Sequence, residues 1–194
     1  MIYFTSDLHL GHANIIKLCN RPFSSLDEMN EALISNWNSR ITNGDTVYIV
    51  GDLIFRSSIP PETYLDKLKG KKHLILGNHD KSWINKINPS KYFASVDRMQ
   101  VIDDGGHKII LCHYPMMSWE SMSKPSYLIF GHIHNNTNAS YWELLKTMPY
   151  ALNAGVEINN YMPVSFDELV VNNETFRQCG NNHNTIFGNS AVLL

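Results

Sequence analysis

The chain has 194 residues, 43% of them hydrophobic, and a formal net charge of −2, a balance typical of one globular domain. The weak negative charge disfavours long nucleic acids as partners, and three cysteines without a CxxC pair argue against a zinc–thiolate site or a disulfide framework. No apolar stretch reaches the ~18 residues of a membrane span and no targeting segment is visible, so we expect a cytoplasmic protein without membrane partners.

The first half of the sequence alternates predicted strands with predicted helices. Continuous apolar runs predict strands at 2–6, 46–50 and 73–76. Helical spacing of apolar residues predicts an amphipathic helix at 27–40, capped by Ser24, Ser25 or Asp27, and a shorter helix at 62–69. This order favours a parallel sheet with right-handed crossovers.

The second half indicates strands with few helices between them. Apolar runs predict strands at 93–102, 108–112, 127–130, 151–154 and 168–171. The sequence Asp103-Asp104-Gly105-Gly106 predicts a hairpin turn. We therefore expect an α/β fold of two mixed sheets packed face to face, with helices outside. Residues 1–171 are expected to form this domain, and 172–194, which are polar and rich in Asn, a tail or terminal appendage.

Five of the predicted apolar runs end at residues that can bind a metal ion. Ligands collect at the carboxyl ends of strands in an open α/β sheet, so we expect these side chains to meet at one edge of one sheet. Mixed carboxylate and imidazole ligands suit divalent Mn, Fe, Zn, Ni or Co. The candidates are Asp7, His9, Asp52, Asn78, His79, His113, His132 and His134.

Spacing supports a shared site with two ions. Asp7 and His9 are two residues apart, as are His132 and His134, which turns both side chains of each pair to the same side of an extended segment. Glycines before Asp52, Asn78 and His132 are expected to allow sharp turns. A bridging carboxylate would hold two ions about 3.5–4 Å apart, the spacing of two-metal phosphoryl sites.

Each of these signals is weak when it stands alone. A Gly-Asp pair after a strand is usually a turn device, and a single histidine such as His113 is more often structural. The joint occurrence at five strand ends is what favours a metal site.

The motifs resemble the five signature motifs of the calcineurin-like metallophosphoesterases, in the same order. They are Asp7-x-His9, Gly51-Asp52, Gly77-Asn78-His79-Asp80, His113 and Gly131-His132-x-His134. Flanking segments resemble the small bacterial and phage members: Gly11-His12, Arg21-Pro22-Phe23 and Asn153-Ala154-Gly155-Val156. The resemblance implies a four-layer α/β/β/α sandwich and two divalent metal ions, of which Mn is the first choice.

The same resemblance implies a ligand set and a role for each member. One ion would be held by Asp7, His9, Asp52 and His134. The other would be held by Asp52, Asn78, His113 and His132, so that Asp52 bridges. His79 would not be a ligand but would donate a proton to the departing oxygen or stabilise the phosphoryl group.

The implied activity is hydrolysis of a phosphomonoester or phosphodiester, with a nucleotide-type substrate favoured, by hydroxide formed on the metal ions. Gly51-Asp52 is followed by Leu-Ile-Phe-Arg, which lacks the second Asp of the protein phosphatases and disfavours that class. His12 and Arg56 are candidate substrate contacts, although a surface role is the alternative for each. Asp80 either bonds near His79 or caps a helix.

Two alternative functions stay open at this point. One is a nuclease that acts on nucleic-acid ends, which a basic groove would favour. The other is a non-catalytic binding scaffold with the same fold, which the presence of His79 disfavours.

Overall fold

The apolar runs of the first half form a parallel sheet in the computed structural model, which describes residues 1–179. Its strands, in spatial order, are β1 (Ile2–Thr5), β2 (Thr46–Ile49), β3 (Lys71–Ile75) and β4 (Ser95–Asp97). All three strand pairs are parallel. The crossovers carry α1 (Asn14–Leu18), α2 (Leu26–Arg40) and α3 (Glu62–Leu65), and the hydroxyl of Ser25 caps α2 by accepting the N–H of Glu28.

The second half forms another four-stranded sheet. Its strands are β5 (Met99–Asp104), β6 (His107–Cys112), β7 (Ser126–Phe130) and β8 (Ala151–Asn153), in that spatial order. β5 and β6 are antiparallel, with Gly105 and Gly106 between them, which confirms the hairpin. β6, β7 and β8 are parallel to one another, so this sheet is mixed, whereas the named strands of the first sheet are all parallel.

The predicted strand at 93–102 is wrong, because the chain changes sheets within it. β4 ends at Asp97 and pairs with β3, whereas β5 begins at Met99 and pairs with β6. Only Arg98 separates the two strands. Both halves are extended, so the sequence pattern runs through the crossing without a break.

The predicted strand at 168–171 is also wrong, because these residues lie in α5 (Phe166–Cys179). Ser165 and Glu168 form a reciprocal cap, in which the Ser165 N–H donates to Glu168 Oε2 (2.8 Å) and the Glu168 N–H to Ser165 Oγ (3.4 Å). The helix therefore runs eight residues past the predicted boundary at 171, and the rest of the predicted tail, 180–194, lies outside the described residues.

The two sheets pack face to face around a core built from both. Phe4, Val50 and Ile75 from the first sheet meet inward side chains of the second, namely Ile109, Leu111, Ile129 and Leu152. The far face of the first sheet is covered by α2, whose Trp37 is fully buried. A third cluster around Trp142 of α4 (Trp142–Leu145) covers the far face of the second sheet. This layering confirms the expected α/β/β/α sandwich.

The sandwich sets the position of the candidate residues. They follow β1, β2 and β3 in the first sheet and β6 and β7 in the second. The expectation that one sheet supplies all of them is therefore wrong. Parallel strands of both sheets end at the same rim of the sandwich. Among residues 1–179, no helix is both long and apolar enough to cross a membrane, and the cytoplasmic location stays a prediction.

Candidate metal centre

Five of the candidate residues are held in the left-handed backbone region. Their φ angles are 58° at Asp7, 53° at His9, 53° at Asp52, 72° at His132 and 51° at His134. Positive φ is uncommon for residues other than glycine, and each case costs about 1–3 kcal/mol. The extended segments predicted around these residue pairs are therefore wrong. Strain of this kind, concentrated at one rim, is typical of a ligand clamp.

Backbone hydrogen bonds fasten the strained loops to one another. The Asp7 N–H donates to the Gly51 carbonyl and the His9 N–H to the Asp52 carbonyl, both at 3.0 Å. In the second sheet, the Gly131 N–H donates to the His113 carbonyl, also at 3.0 Å. Within each sheet, the loops that carry the candidate residues are thus joined to one another.

A first cluster joins Asp7, His9, His134 and Asp52. Asp7 Oδ1 lies 3.9 Å from both His9 Nε2 and His134 Nε2. His9 Nε2 lies 3.6 Å from Asp52 Oδ2. Such separations leave room for a cation roughly 2.0–2.2 Å from each atom.

The donor set of this cluster fits a cation. Asp7 and His9 are buried, and within the described part of the chain Asp7 Oδ1 and His9 Nε2 have no hydrogen-bond partner. A buried polar atom without a partner costs about 1–3 kcal/mol. The other Asp7 oxygen, Oδ2, accepts the His132 N–H at 2.9 Å, which turns Oδ1 toward the cluster.

A second cluster joins Asn78, His113, His132 and Asp52. Asn78 Oδ1 lies 3.1 Å from His113 Nε2 and 3.0 Å from His132 Nδ1. Asp52 Oδ2 lies 3.5 Å from His113 Nε2. Because the Val50 carbonyl accepts a hydrogen bond from His113 Nδ1 (2.8 Å), the Nε2 atom is the one presented to the cluster. The same Asp52 oxygen therefore faces both clusters.

Two of the three predicted glycines serve close approach rather than a sharp turn. A Cβ on Gly77 would collide with the Asp52 carboxylate, and one on Gly131 with Ser6 Oγ and the Asp7 carboxylate. Neither glycine has a positive φ, whereas Gly51 does, at 91°. Absence of a side chain is what lets the two carboxylates reach the rim.

Asp80 has a role that neither sequence-based alternative describes. Its carboxylate is fully buried and accepts the N–H groups of Asp52 (2.8 Å), Gly77 (2.8 Å) and Leu53 (3.0 Å), as well as the indole N–H of Trp83 (2.9 Å). Burial raises the pKa of Asp80 to about 6. The residue therefore ties the loop after β2 to the loop after β3, and its position beside His79 was the only signal in the sequence.

His79 lies beside the two clusters, with its ring centroid 5.4 Å from that of His9. Its side chain is 33% exposed and its Nε2 lies 3.9 Å from Asp52 Oδ2. The imidazole packs on the ring of Phe55, with centroids 3.7 Å apart. Phe55 was missed in the sequence, where it carries no distinguishing signal.

The two candidate substrate contacts both lie beside the same phenyl ring. His12 is buried, its ring centroid is 4.8 Å from that of Phe55, and its Nδ1 has no hydrogen-bond partner within residues 1–179. Arg56 is exposed and its guanidinium lies 5.1 Å from the Phe55 centroid. The structure thus brings His12, Arg56 and His79 to one side of the rim.

The electrostatics of the rim pair carboxylates with imidazoles. Burial raises the pKa of Asp52, but the hydrogen bond and charge of His113 outweigh it and lower the pKa to about 2. Burial lowers the pKa of His113, but Asp52 and Asp7 outweigh it and raise the pKa to about 9. Burial also lowers the pKa of His9, to about 2, with a further contribution from His134. At neutral pH Asp52 is thus a carboxylate and His9 a neutral imidazole, the forms that bind a divalent cation, whereas His113 holds a proton that a cation would have to displace.

The sequence matches known proteins over most of its length. The family model described as calcineurin-like phosphoesterase matches residues 1–136, which include every candidate ligand. An uncharacterized protein of Methanocaldococcus jannaschii is 39% identical over 171 residues, covering 87% of this chain and 89% of that protein. The Gene 66 protein of Mycobacterium phage D29 is 28% identical over 159 residues, covering 69% of this chain and 78% of the phage protein.

The chain is also similar to solved structures. A protein of unknown function from Aquifex aeolicus matches with a TM-score of 0.67 and 29% identity, covering 87% of this chain and 96% of that one. The nuclease MPE of Pseudomonas putida matches with a TM-score of 0.45 and 20% identity, covering 69% of this chain and 61% of that one.

Proposed function

This chain belongs to the calcineurin-like phosphoesterase family, and we propose that it is a hydrolase of phosphoric esters that works with two divalent metal ions. The observation that carries the proposal is the position of Asp52 Oδ2. This one carboxylate oxygen lies 3.6 Å from His9 Nε2 in the first cluster and 3.5 Å from His113 Nε2 in the second. An oxygen shared by two sets of ligands is the arrangement that a bridged pair of ions needs.

The proposed ligand sets follow the two clusters. Asp7, His9, Asp52 and His134 would hold one ion, and Asp52, Asn78, His113 and His132 the other. Support comes from the buried atoms of Asp7 and His9 that have no hydrogen-bond partner among residues 1–179, and from the strained backbone at five of the seven residues. Mn is our first choice of metal, because mixed oxygen and imidazole ligands suit it.

Side chains of the protein would orient the substrate and move the proton. Bound divalent ions would supply Lewis acidity, which lowers the pKa of water toward about 7 and neutralises phosphoryl oxygens. His79 is a partly exposed imidazole at the rim, and its Nε2 would give a proton to the departing oxygen. The Phe55 ring packs against that imidazole, and His12 and Arg56, which also lie beside Phe55, would contact the phosphoryl group or its substituent.

We propose a small phosphomonoester or phosphodiester as substrate, with a nucleotide-type ester favoured. The net charge of −2 disfavours long polyanions, which need a basic surface. A binding scaffold without catalysis is disfavoured, because His79 and all seven proposed ligands are present and converge on the rim.

A substrate panel tests the proposal. Protein loaded with Mn²⁺ would be assayed on p-nitrophenyl phosphate and bis(p-nitrophenyl) phosphate, then on 2′,3′-cyclic and 3′,5′-cyclic nucleotides and on short DNA and RNA. We expect turnover of at least one small ester that chelation abolishes. Cleavage of only DNA or RNA ends would favour the nuclease instead, and an absence of turnover on every substrate would overturn the hydrolase proposal.

A further inference from the structure

Two charged residues beneath the rim have no part in the mechanism above. Arg21 begins the Arg21-Pro22-Phe23 segment, and Glu157 directly follows the Asn153-Ala154-Gly155-Val156 segment. Their side chains are 0% and 1% exposed, and Arg21 Nη2 lies 2.7 Å from Glu157 Oε1. Arg21 Nε donates to the same oxygen at 3.1 Å.

Glu157 contacts one of the proposed ligands directly. Its Oε1 accepts a hydrogen bond from His134 Nδ1 at 2.9 Å. Because a carboxylate can only accept, the proton stays on Nδ1, and Nε2 of the same ring is the atom 3.9 Å from Asp7 Oδ1. Glu157 thus fixes both the tautomer and the plane of His134.

Arg21 extends the same unit to the opposite side of the first cluster. Its Nη2 donates to the Asp7 carbonyl at 2.7 Å and its Nη1 to the Leu8 carbonyl at 2.8 Å. These carbonyls belong to the loop in which Asp7 has a φ of 58°. One buried guanidinium therefore holds a strained ligand loop and, through Glu157, a ligand ring.

Stability alone is a poor reason for this pair. Removing two charges from water costs several kcal/mol per ion, and apolar residues of similar volume often serve a core as well or better. A carboxylate behind a metal-binding histidine, in contrast, orients the ring and raises its basicity toward the ion. The second cluster lacks such a partner among the described residues, since the His113 ring is held by the Val50 carbonyl instead.

We propose that Glu157, held in place by Arg21, is the positioning residue for His134 and selectively strengthens the ion site formed by Asp7, His9, Asp52 and His134. The inference rests on the proposed two-ion function. The negative charge of Glu157 lies behind one site only. The affinity of that site for its ion should therefore depend on Glu157 more than the affinity of the other site does.

The test is a comparison of metal binding, independent of turnover. Mn²⁺ would be titrated by calorimetry into the metal-free wild type and into Glu157→Gln, which keeps the shape and an acceptor oxygen but removes the charge. Bound Mn would also be counted after gel filtration. We expect two ions in the wild type, whereas in Glu157→Gln one site should be weakened about 10–100-fold and the other retained.

Glu168→Gln is the matched control, because Glu168 also pairs with an arginine at 2.7 Å, namely Arg40, but lies away from the rim. It should bind two ions as the wild type does. Unchanged affinity of both sites in Glu157→Gln, or an equal loss at both, would overturn the inference while leaving the two-ion proposal intact. Failure of the wild type itself to bind two ions would instead overturn the proposed function.

A second variant covers the case in which Glu157→Gln does not fold. Arg21→Lys keeps the positive charge but lacks the planar guanidinium that donates four hydrogen bonds to Glu157 and the two loop carbonyls. We expect it to weaken the same single site. Wild-type affinity at both sites in this variant, or an equal loss of affinity at both, would count against the inference.

Discussion

Among the single residues of the rim, His79 and Asp52 are neighbours with different surroundings. Asp52 is buried between two clusters of possible ligands, whereas His79 is partly exposed and packs on Phe55. The two residues should therefore respond differently to substitution, although both belong to the same site.

His79→Ala is expected to lower kcat about 10²–10⁴-fold, the usual contribution of a positioned proton donor, while bound Mn stays unchanged. Asp52→Asn should reduce the Mn content of both sites. Steady-state kinetics with a nitrophenyl ester and metal analysis of the same samples check both variants. If His79→Ala loses metal and keeps its turnover, the role given to His79 is wrong.

Asp80→Asn is expected to destabilise the metal-free protein by about 1–3 kcal/mol. The buried carboxylate accepts four N–H donors, two at each oxygen, so the NH2 of an amide would face two of them. Urea unfolding measures the change. Asp66→Asn is the control, because Asp66 is exposed, and equal stability of the two variants would contradict the role of Asp80 as a tie between loops.

At the scale of elements, the sequence was informative wherever the hydrophobic period alone decided the structure. The strands that precede the ligands and the helix at 26–40 were predicted to within a few residues. The change of sheet at Arg98 was not, because pairing partners rather than local pattern separate β4 from β5. For α5, the missed signal was present as Ser165 and Glu168, the two ends of a capping box.

The rim loops show a similar limit. Sequence indicated which residues meet, because strand ends converge in this class of fold. It did not indicate the left-handed backbone at Asp7 or His134, since nothing local distinguishes these residues from ordinary turn formers. The buried partners Arg21 and Glu157 are 136 residues apart, and only the fold brings them together.

The loop after β3 gives a prediction at this scale. Gly77→Ala should destabilise the protein by about 1–3 kcal/mol and weaken Mn binding, because the new methyl group displaces the Asp52 carboxylate. Gly44→Ala is the matched control, since the nearest atom there, Thr42 Oγ1, is 3.8 Å away. Unfolding and calorimetric titration of both variants provide the comparison. If Gly77→Ala bound Mn with wild-type affinity, the new methyl group would not displace the Asp52 carboxylate.

At the scale of the whole molecule, several features of the rim reduce the stability of the metal-free protein, and a bound cation would offset them. At Asp7 and His9, strained φ angles occur together with buried atoms that have no hydrogen-bond partner in the described part of the chain. Ligand binding to the folded state stabilises it by about 2.7 kcal/mol when the free ligand is at 100 times Kd.

Mn²⁺ is therefore expected to raise the unfolding temperature of the metal-free protein by several degrees, and a chelator should reverse the rise. Differential scanning calorimetry with and without Mn²⁺ measures it, and Asp52→Asn should show most of the shift lost. An unchanged melting temperature at saturating Mn²⁺ would show that the rim does not bind the ion in the folded state.

Both sheets supply residues of the rim, and this has a consequence for engineering. Side chains packed between the two sheets, including Leu111 and Ile129, set the distance between the candidate ligands of the first sheet and those of the second. A larger or smaller side chain at either position is therefore expected to change the affinity for metal ions without altering any of the proposed ligands.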